Sequence, residues 1–308
     1  MSSKYWKDIK RARGRVATGS KILETAVGPI EYAEAGKRDG QPVLVIHGAG
    51  GGFDQGLDIG AALVERGFRV IAPSRFGYLR TPLLPDSSPA AQADAHAAVL
   101  DALDIPRCAV LAASAGGPSA MQLALRYPAR VTALVLMVPV AWAPHDGAMP
   151  RRMSRFASVL MDVTLRSDFL FWLGLRVAPR AMIRRIVGTP PELLTHAHPD
   201  DRARVQLMLD HILPVSSRRL GLLNEARVVP NLPRFELERI EMPTLIISAG
   251  DDLYQTFAGS KYSAEHIPNA RFIGYETGGH LLVGHERETT AAIVELLERA
   301  PALESIGV

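Results

Sequence analysis

The chain has 308 residues, 47% of them hydrophobic and 22% charged, with a formal net charge of +3 at pH 7. A chain of this size buries roughly three quarters of its unfolded surface, and the composition excludes a disordered, collagen-like or disulfide-stapled protein. The sequence pI of about 9.1 accompanies a weak overall field, so neither nucleic acid nor a membrane is expected as a partner.

The densest basic run, "KYWKDIKRARGR" at 4–15, reads as a solvated, partly frayed terminus without a function. No apolar segment of a secretory signal follows it. The single cysteine, Cys108, forms no internal disulfide, so the expected location is cytoplasmic. "SKILETAV" and "PIEYAEA" then alternate around a "GP" turn and predict an antiparallel hairpin at a sheet edge.

Six further runs are rich in Val, Ile and Leu: "PVLVIHG" from Pro42, "FRVIAPS" from Phe68, "CAVLAAS" from Cys108, "VTALVLMVP" from Val131, "TLIISAG" from Thr244 and "ARFIGYE" from Ala270. Nearly continuous apolar content predicts strands buried on both faces, hence a mostly parallel sheet of the doubly wound α/β class. Crossover helices separate them. Ser88 is placed to cap one of these, with Pro89 at its first position, and Pro106 bounds its far end. Cys108 opens a buried run and reads as a packing residue.

Between residues 142 and 238 no strand-like run appears, while Met, Phe, Leu and Arg recur at helical spacing, as in "RRMSRFASVLMDVTL". This predicts a helical cap, 142–238, inserted into a core formed by 1–141 and 239–308. Within it, "FLFWLGL" at 169–175 is too short to span a bilayer and reads as a cap helix rather than a membrane-surface one. "HAHPDD" at 196–201 imitates a zinc-binding spacing. Pro199 followed by two acids reads instead as a helix start, so no metal is assigned.

The chemistry gathers where strands end. Ser114 stands at a strand-to-helix junction with Ala112 and Gly116 two positions to either side, the small-x-Ser-x-small pattern of a sharp turn that lifts a hydroxyl clear of a sheet. The competing reading is a helix-capping serine. "HGAGGGFDQG" at 47–56 favours the first, because glycine backbone there turns amides toward an anion forming beside Ser114. Phe53 stands where a dinucleotide fingerprint needs glycine, and a Walker A ending is absent. Asp251 and Asp252 follow the strand "TLIISAG", and His280 follows the last strand. A weak hydroxyl nucleophile needs a base, and the base an orienting acid.

These four motifs, in this order, resemble the α/β-hydrolase superfamily, over nearly the whole core from about Ile30 onward. The resemblance implies a cofactor-independent serine hydrolase with a helical cap, acting on a small molecule, with Ser114 as nucleophile, His280 as base and Asp252 as acid. The amides of Ala115 and of Ala49 or Gly50 then form the oxyanion hole, while His47 anchors its loop; Asp251 is the rival for the acid, its other reading being a turn-forming residue. Alanine at position 112 departs from the family's usual glycine but remains small. Trp142, Met149, Phe169 and Trp172 are expected to line an apolar substrate pocket. Ester cleavage is the family's commonest activity. A C–C bond hydrolase and a ligand receptor on the same fold stay open, as does self-association.

Overall fold

The computed structural model describes residues 3–144 and 155–300. Eight strands form one sheet in the order β1-β2-β4-β3-β5-β6-β7-β8: β1 Lys21–Thr25, β2 Gly28–Gly36, β3 Pro42–Ile46, β4 Arg69–Pro73, β5 Cys108–Ala113, β6 Val131–Met137, β7 Thr244–Ala249 and β8 Ala270–Tyr275. β1 and β2 pair antiparallel, as does β2 with β4, and every later pair is parallel. The expected edge hairpin and parallel core are both present.

Helices cover both faces, because each strand deals alternate residues to opposite sides. Leu44 and Ile46 of β3, Val110 and Ala112 of β5 and Leu134 and Leu136 of β6 meet α3 (Pro89–Ala102) and α4 (Gly117–Arg126) in one cluster. Val43 and Val45, Ala109 and Leu111, and Ala133 and Val135 join α2 (Phe53–Glu65) and α11 (Glu286–Arg299) in the other. Buried Cys108 packs in the first cluster. β8 departs from the expectation of burial on both faces: it is an edge strand paired only with β7 and is partly exposed. The Ser88 hydroxyl accepts the Ala91 amide at 3.2 Å and caps α3, with Pro89 at the first helical position.

Between β6 and β7 the described residues form α5 Arg155–Leu165, α6 Asp168–Val177, α7 Pro179–Ile186, α8 Pro199–His211 and α9 Arg219–Val228, joined by turns. Pro199 opens α8, with His198 as its N-cap. After β7 comes α10, Thr256–His266. Among the described residues, no helix is long and apolar enough to cross a membrane.

The N-terminus is not frayed. Ser3–Thr18 forms α1, with Tyr5, Ile9 and Ala12 buried. These three positions lie on one helical stripe, inconspicuous among the surrounding cations in sequence, and the stripe packs with Trp172 and Leu175 of α6 in a third apolar cluster. Asp8 accepts the Trp172 indole at 3.0 Å and pairs with Arg176 at 2.6 Å, while Arg13 pairs with Asp168 at 3.1 Å. The basic run is therefore a brace for the inserted helices.

Buried polar residues tie α3 to α4. The Ser119 hydroxyl donates to the Gly116 carbonyl at 3.0 Å and receives the His96 ring at 3.2 Å. Burial, reinforced by Arg75, pushes His96 down to about 3, and burial also holds His47 well below its ordinary value. Both rings stay neutral in the fold. Below about pH 6.5 the unfolded chain takes up protons that the folded chain refuses, so stability falls as pH falls. His96→Gln should make the unfolding free energy, measured by urea titration between pH 6 and 4, shallower by about 1.4 kcal/mol per pH unit than wild type.

Candidate active site

Ser114 occupies the junction of β5 and α4 with φ at +51°. That left-handed backbone is costly for a side-chain-bearing residue and is the mark of a sharp, strained turn. The capping alternative does not hold, since no side-chain cap bond forms at this junction and Ala113 occupies the capping position. Gly116 shows why small neighbours are needed: a Cβ there would sit 2.8 Å from the carbonyl oxygens of Ile46 and His47. Ala112 is fully buried in the sheet.

β7 and β8 run parallel to β5 and β6, so the loops bearing Asp252 and His280 leave the same sheet edge as Ser114. The Asp252 carboxylate holds His280 through Oδ2 and Nδ1 at 2.8 Å, and also accepts the Tyr254 amide at 2.8 Å and the Thr256 hydroxyl. Burial alone would raise this carboxyl. The His280 ring, Thr256 and the Tyr254 amide outweigh burial and hold it below the ordinary value. With Nδ1 committed to Asp252, the ring presents Nε2 on its opposite side. A direct Ser114–His280 hydrogen bond is absent among the described residues, and such bonds often tighten only when substrate is bound.

Asp251 serves the same loop differently, accepting the Gly279 amide at 2.7 Å one residue before His280. The edge of the Tyr254 ring packs against His280, with centroids 4.8 Å apart. Tyr254 is 45% exposed, yet partial burial and the neighbouring Asp252 charge push its phenol up to about 12, and the hydroxyl donates to the Arg185 carbonyl at 3.1 Å.

The glycine loop after β3 lies against the serine: a Cβ at Gly48 would stand 3.0 Å from the Ser114 Cβ. His47 donates from Nδ1 to the Gly48 carbonyl at 2.7 Å and accepts the Arg75 amide on Nε2 at 3.0 Å. Both ring nitrogens are thus spent on anchoring the loop. The Gly48 amide goes to Gln55 at 2.9 Å, the Gly51 amide to the Gly48 carbonyl at 3.3 Å and the Gly50 amide to the Tyr78 hydroxyl at 3.4 Å. Gly50 is therefore engaged, while the amide of exposed Ala49 meets no acceptor among the described residues. Of the two loop amides expected to hold an oxyanion, Ala49 is the free one.

Three of the residues expected to line a pocket make aromatic contacts. Phe169 and Trp172 pack against Tyr5 of α1, with centroids 5.2 and 5.5 Å apart. Trp142 meets Tyr262 edge-on at 5.0 Å, and Met149 lies outside the described residues. Two inserted residues that no sequence motif marked stand over Gly50: a Cβ there would lie 3.8 Å from Ile212 and 3.9 Å from Leu222. The insertion also reaches the other loops. The Gly188 carbonyl accepts the His280 amide at 3.3 Å and the Leu253 amide at 3.0 Å, and the Thr189 hydroxyl accepts the Leu281 amide at 3.1 Å.

A family model described as the alpha/beta hydrolase fold matches residues 41–285. The chain belongs to this family. Among relatives, the uncharacterized hydrolase YcgS of Bacillus subtilis is 28% identical over 283 residues, covering 87% of this chain and 94% of its own. A 2-hydroxymuconate semialdehyde hydrolase of Pseudomonas putida is 30% identical over 287 residues, covering 87% and 90%. An alpha/beta hydrolase fold protein from Nakamurella multipartita superposes with a TM-score of 0.70 at 27% identity, covering 90% of this chain and 98% of that one. The protein is thus an α/β hydrolase.

Strain at residue 114 of this α/β hydrolase is measurable. Ser114→Gly removes the Cβ that disfavours a positive φ, whereas Ser114→Ala keeps it. Urea unfolding should find the glycine variant more stable than the alanine variant by about 1 kcal/mol.

Proposed function

We propose that this α/β hydrolase cleaves a carboxylic ester, or a related acyl bond, of a small and largely apolar molecule through a covalent acyl-enzyme on Ser114. The observation that carries this reading is the Asp252–His280 pair standing at the same sheet edge as a serine held at φ +51°. His280 Nε2 takes the Ser114 hydroxyl proton as its oxygen attacks the carbonyl carbon, and Asp252 stabilises the resulting imidazolium. The amides of Ala49 and Ala115 receive the negative charge on the carbonyl oxygen. The imidazolium then protonates the departing alcohol. Water, deprotonated by the same ring, releases the acid and restores the serine.

A second reading is favoured by the Pseudomonas putida relative, a 2-hydroxymuconate semialdehyde hydrolase: the group expelled is a carbon fragment rather than an alcohol. The same three side chains serve both reactions. A panel of aryl esters and vinylogous diketones separates the two by which class is turned over.

Ser114 should be labelled by a fluorophosphonate probe, and Ser114→Ala should lose both the label and p-nitrophenyl acetate hydrolysis, by a factor on the order of 10³ or more. A mutant that kept its turnover would end the nucleophile assignment, and saturable ligand binding without turnover in the wild type would point to a receptor. Asp252→Asn should depress kcat on the order of 10⁴-fold through the wrong imidazole tautomer. Asp251→Asn, which affects only a backbone tether, should cost far less, and the reverse ranking in steady-state kinetics would exchange the two assignments.

A further inference from the structure

Arg218 belongs to the inserted segment, one residue before α9, yet its side chain is 0% exposed beneath the loop that carries Ala49. Its Nη1 donates to the Gly51 carbonyl at 2.5 Å and to Asp54 Oδ1 at 3.1 Å. Nη2 donates to Asp54 Oδ2 at 2.7 Å and to the His211 carbonyl at 2.6 Å, and Nε to the Ile212 carbonyl at 3.0 Å. Asp54 lies in the first turn of α2, the helix that begins directly after the glycine loop, where a negative charge also suits the helix dipole.

The pair is reinforced from a third direction. Arg15 of α1 donates to Asp54 at 3.1 Å and to the His211 and Leu213 carbonyls at 3.2 and 2.5 Å. Burial would raise the Asp54 carboxyl, but the two guanidinium groups hold it below its ordinary value. A buried ion pair adds little net stability over apolar residues of equal volume, because desolvation cancels most of the attraction. What it does provide is a single permitted geometry.

The loop needs that constraint. Gly48, Gly50, Gly51 and Gly52 give it few intrinsic preferences and a large conformational entropy to lose. Gln55 and Tyr78 hold the Gly48 and Gly50 amides. Arg218 supplies a further hold, at the Gly51 carbonyl. A Cβ at Gly52 would fall 2.4 Å from Leu79 and 2.9 Å from Arg218 Nη1, so glycine there leaves room for both side chains.

We propose that Arg218 is a positioning residue for the oxyanion loop, fixing the Gly51 peptide against Asp54 so that the Ala49 amide stays aimed at the developing oxyanion. The proposal rests on the serine-hydrolase reading above. It places part of the catalytic alignment in the inserted segment, on a residue that touches neither substrate nor nucleophile.

The test uses the full chain with p-nitrophenyl acetate as substrate and phenylboronic acid, which forms a tetrahedral adduct on a serine, as inhibitor. Arg218→Lys keeps the charge but cannot span Gly51 and Asp54 together. It should lower kcat by about 10- to 100-fold with KM changed less than about threefold, and boronate affinity should weaken in parallel while that of the product, acetate, stays unchanged. A merely structural role would not split these readouts. A folded Arg218→Lys with unchanged kcat and boronate affinity, or with only KM altered, would overturn the proposal. Should that variant fail to fold, Asp54→Asn is read by the same criteria, because it loosens the guanidinium at near-constant volume. A wild type insensitive to boronate and to Ser114→Ala would instead end the serine-hydrolase reading itself, a result distinct from a sound hydrolase indifferent to Arg218.

Discussion

Parallel pairing of β3, β5, β6, β7 and β8 obliges each strand to end at the same edge of the sheet. Every polar group of the candidate site sits on a loop that begins at that edge: the glycine loop after β3, Ser114 after β5, Asp252 after β7 and His280 after β8. Reversing one strand would send its loop some five residues' length away, to the opposite side of the molecule. The chemistry of the site is thus a consequence of strand direction before it is a consequence of any side chain.

Strand direction alone does not align loops, and the inserted helices complete that task. They meet the loops bearing Asp252 and His280 through the Gly188 carbonyl and Thr189, and the glycine loop through Arg218. A further seam is made by backbone at contact distance: the Gly221 amide donates to the Gly77 carbonyl at 2.8 Å, and a Cβ at Gly221 would lie 2.3 Å from the Tyr78 ring. The N-terminal helix grips the same insertion from outside. The segment between β6 and β7 therefore acts as a wall of the site, bonded to its loops at several points.

Three ionisable groups around the site are matched by partners, although buried Arg75 beside His47 keeps Nε and Nη2 without one among the described residues. His47 is neutral and gives both nitrogens to backbone, Asp252 is ionised but matched by three donors, and Asp54 is clasped by two arginines. Each of these groups is thereby held in one orientation by its partners.

How much of this was legible in the chain follows from the range of the interactions. The individual buried strands, the edge hairpin, the Ser88 cap and the strand-to-helix turn at Ser114 depend on residues within a few positions of one another, and apolar runs, turn pairs and small-x-Ser-x-small spacing report them directly. Pairing across long separations leaves no such trace. Nothing near residue 218 announces a partner at 54, and nothing near Phe169 and Trp172 announces their packing against Tyr5 of α1. The amphipathic stripe of α1 was hidden because three modest apolar residues stand among many cations. Sequence alone therefore determined the family of the fold and that Ser114, Asp252 and His280 stand on loops at one edge of its sheet. Only tertiary structure decided which amide of the glycine loop is free and which inserted residues hold the loops, because those choices depend on desolvation and contacts between segments that no local pattern encodes.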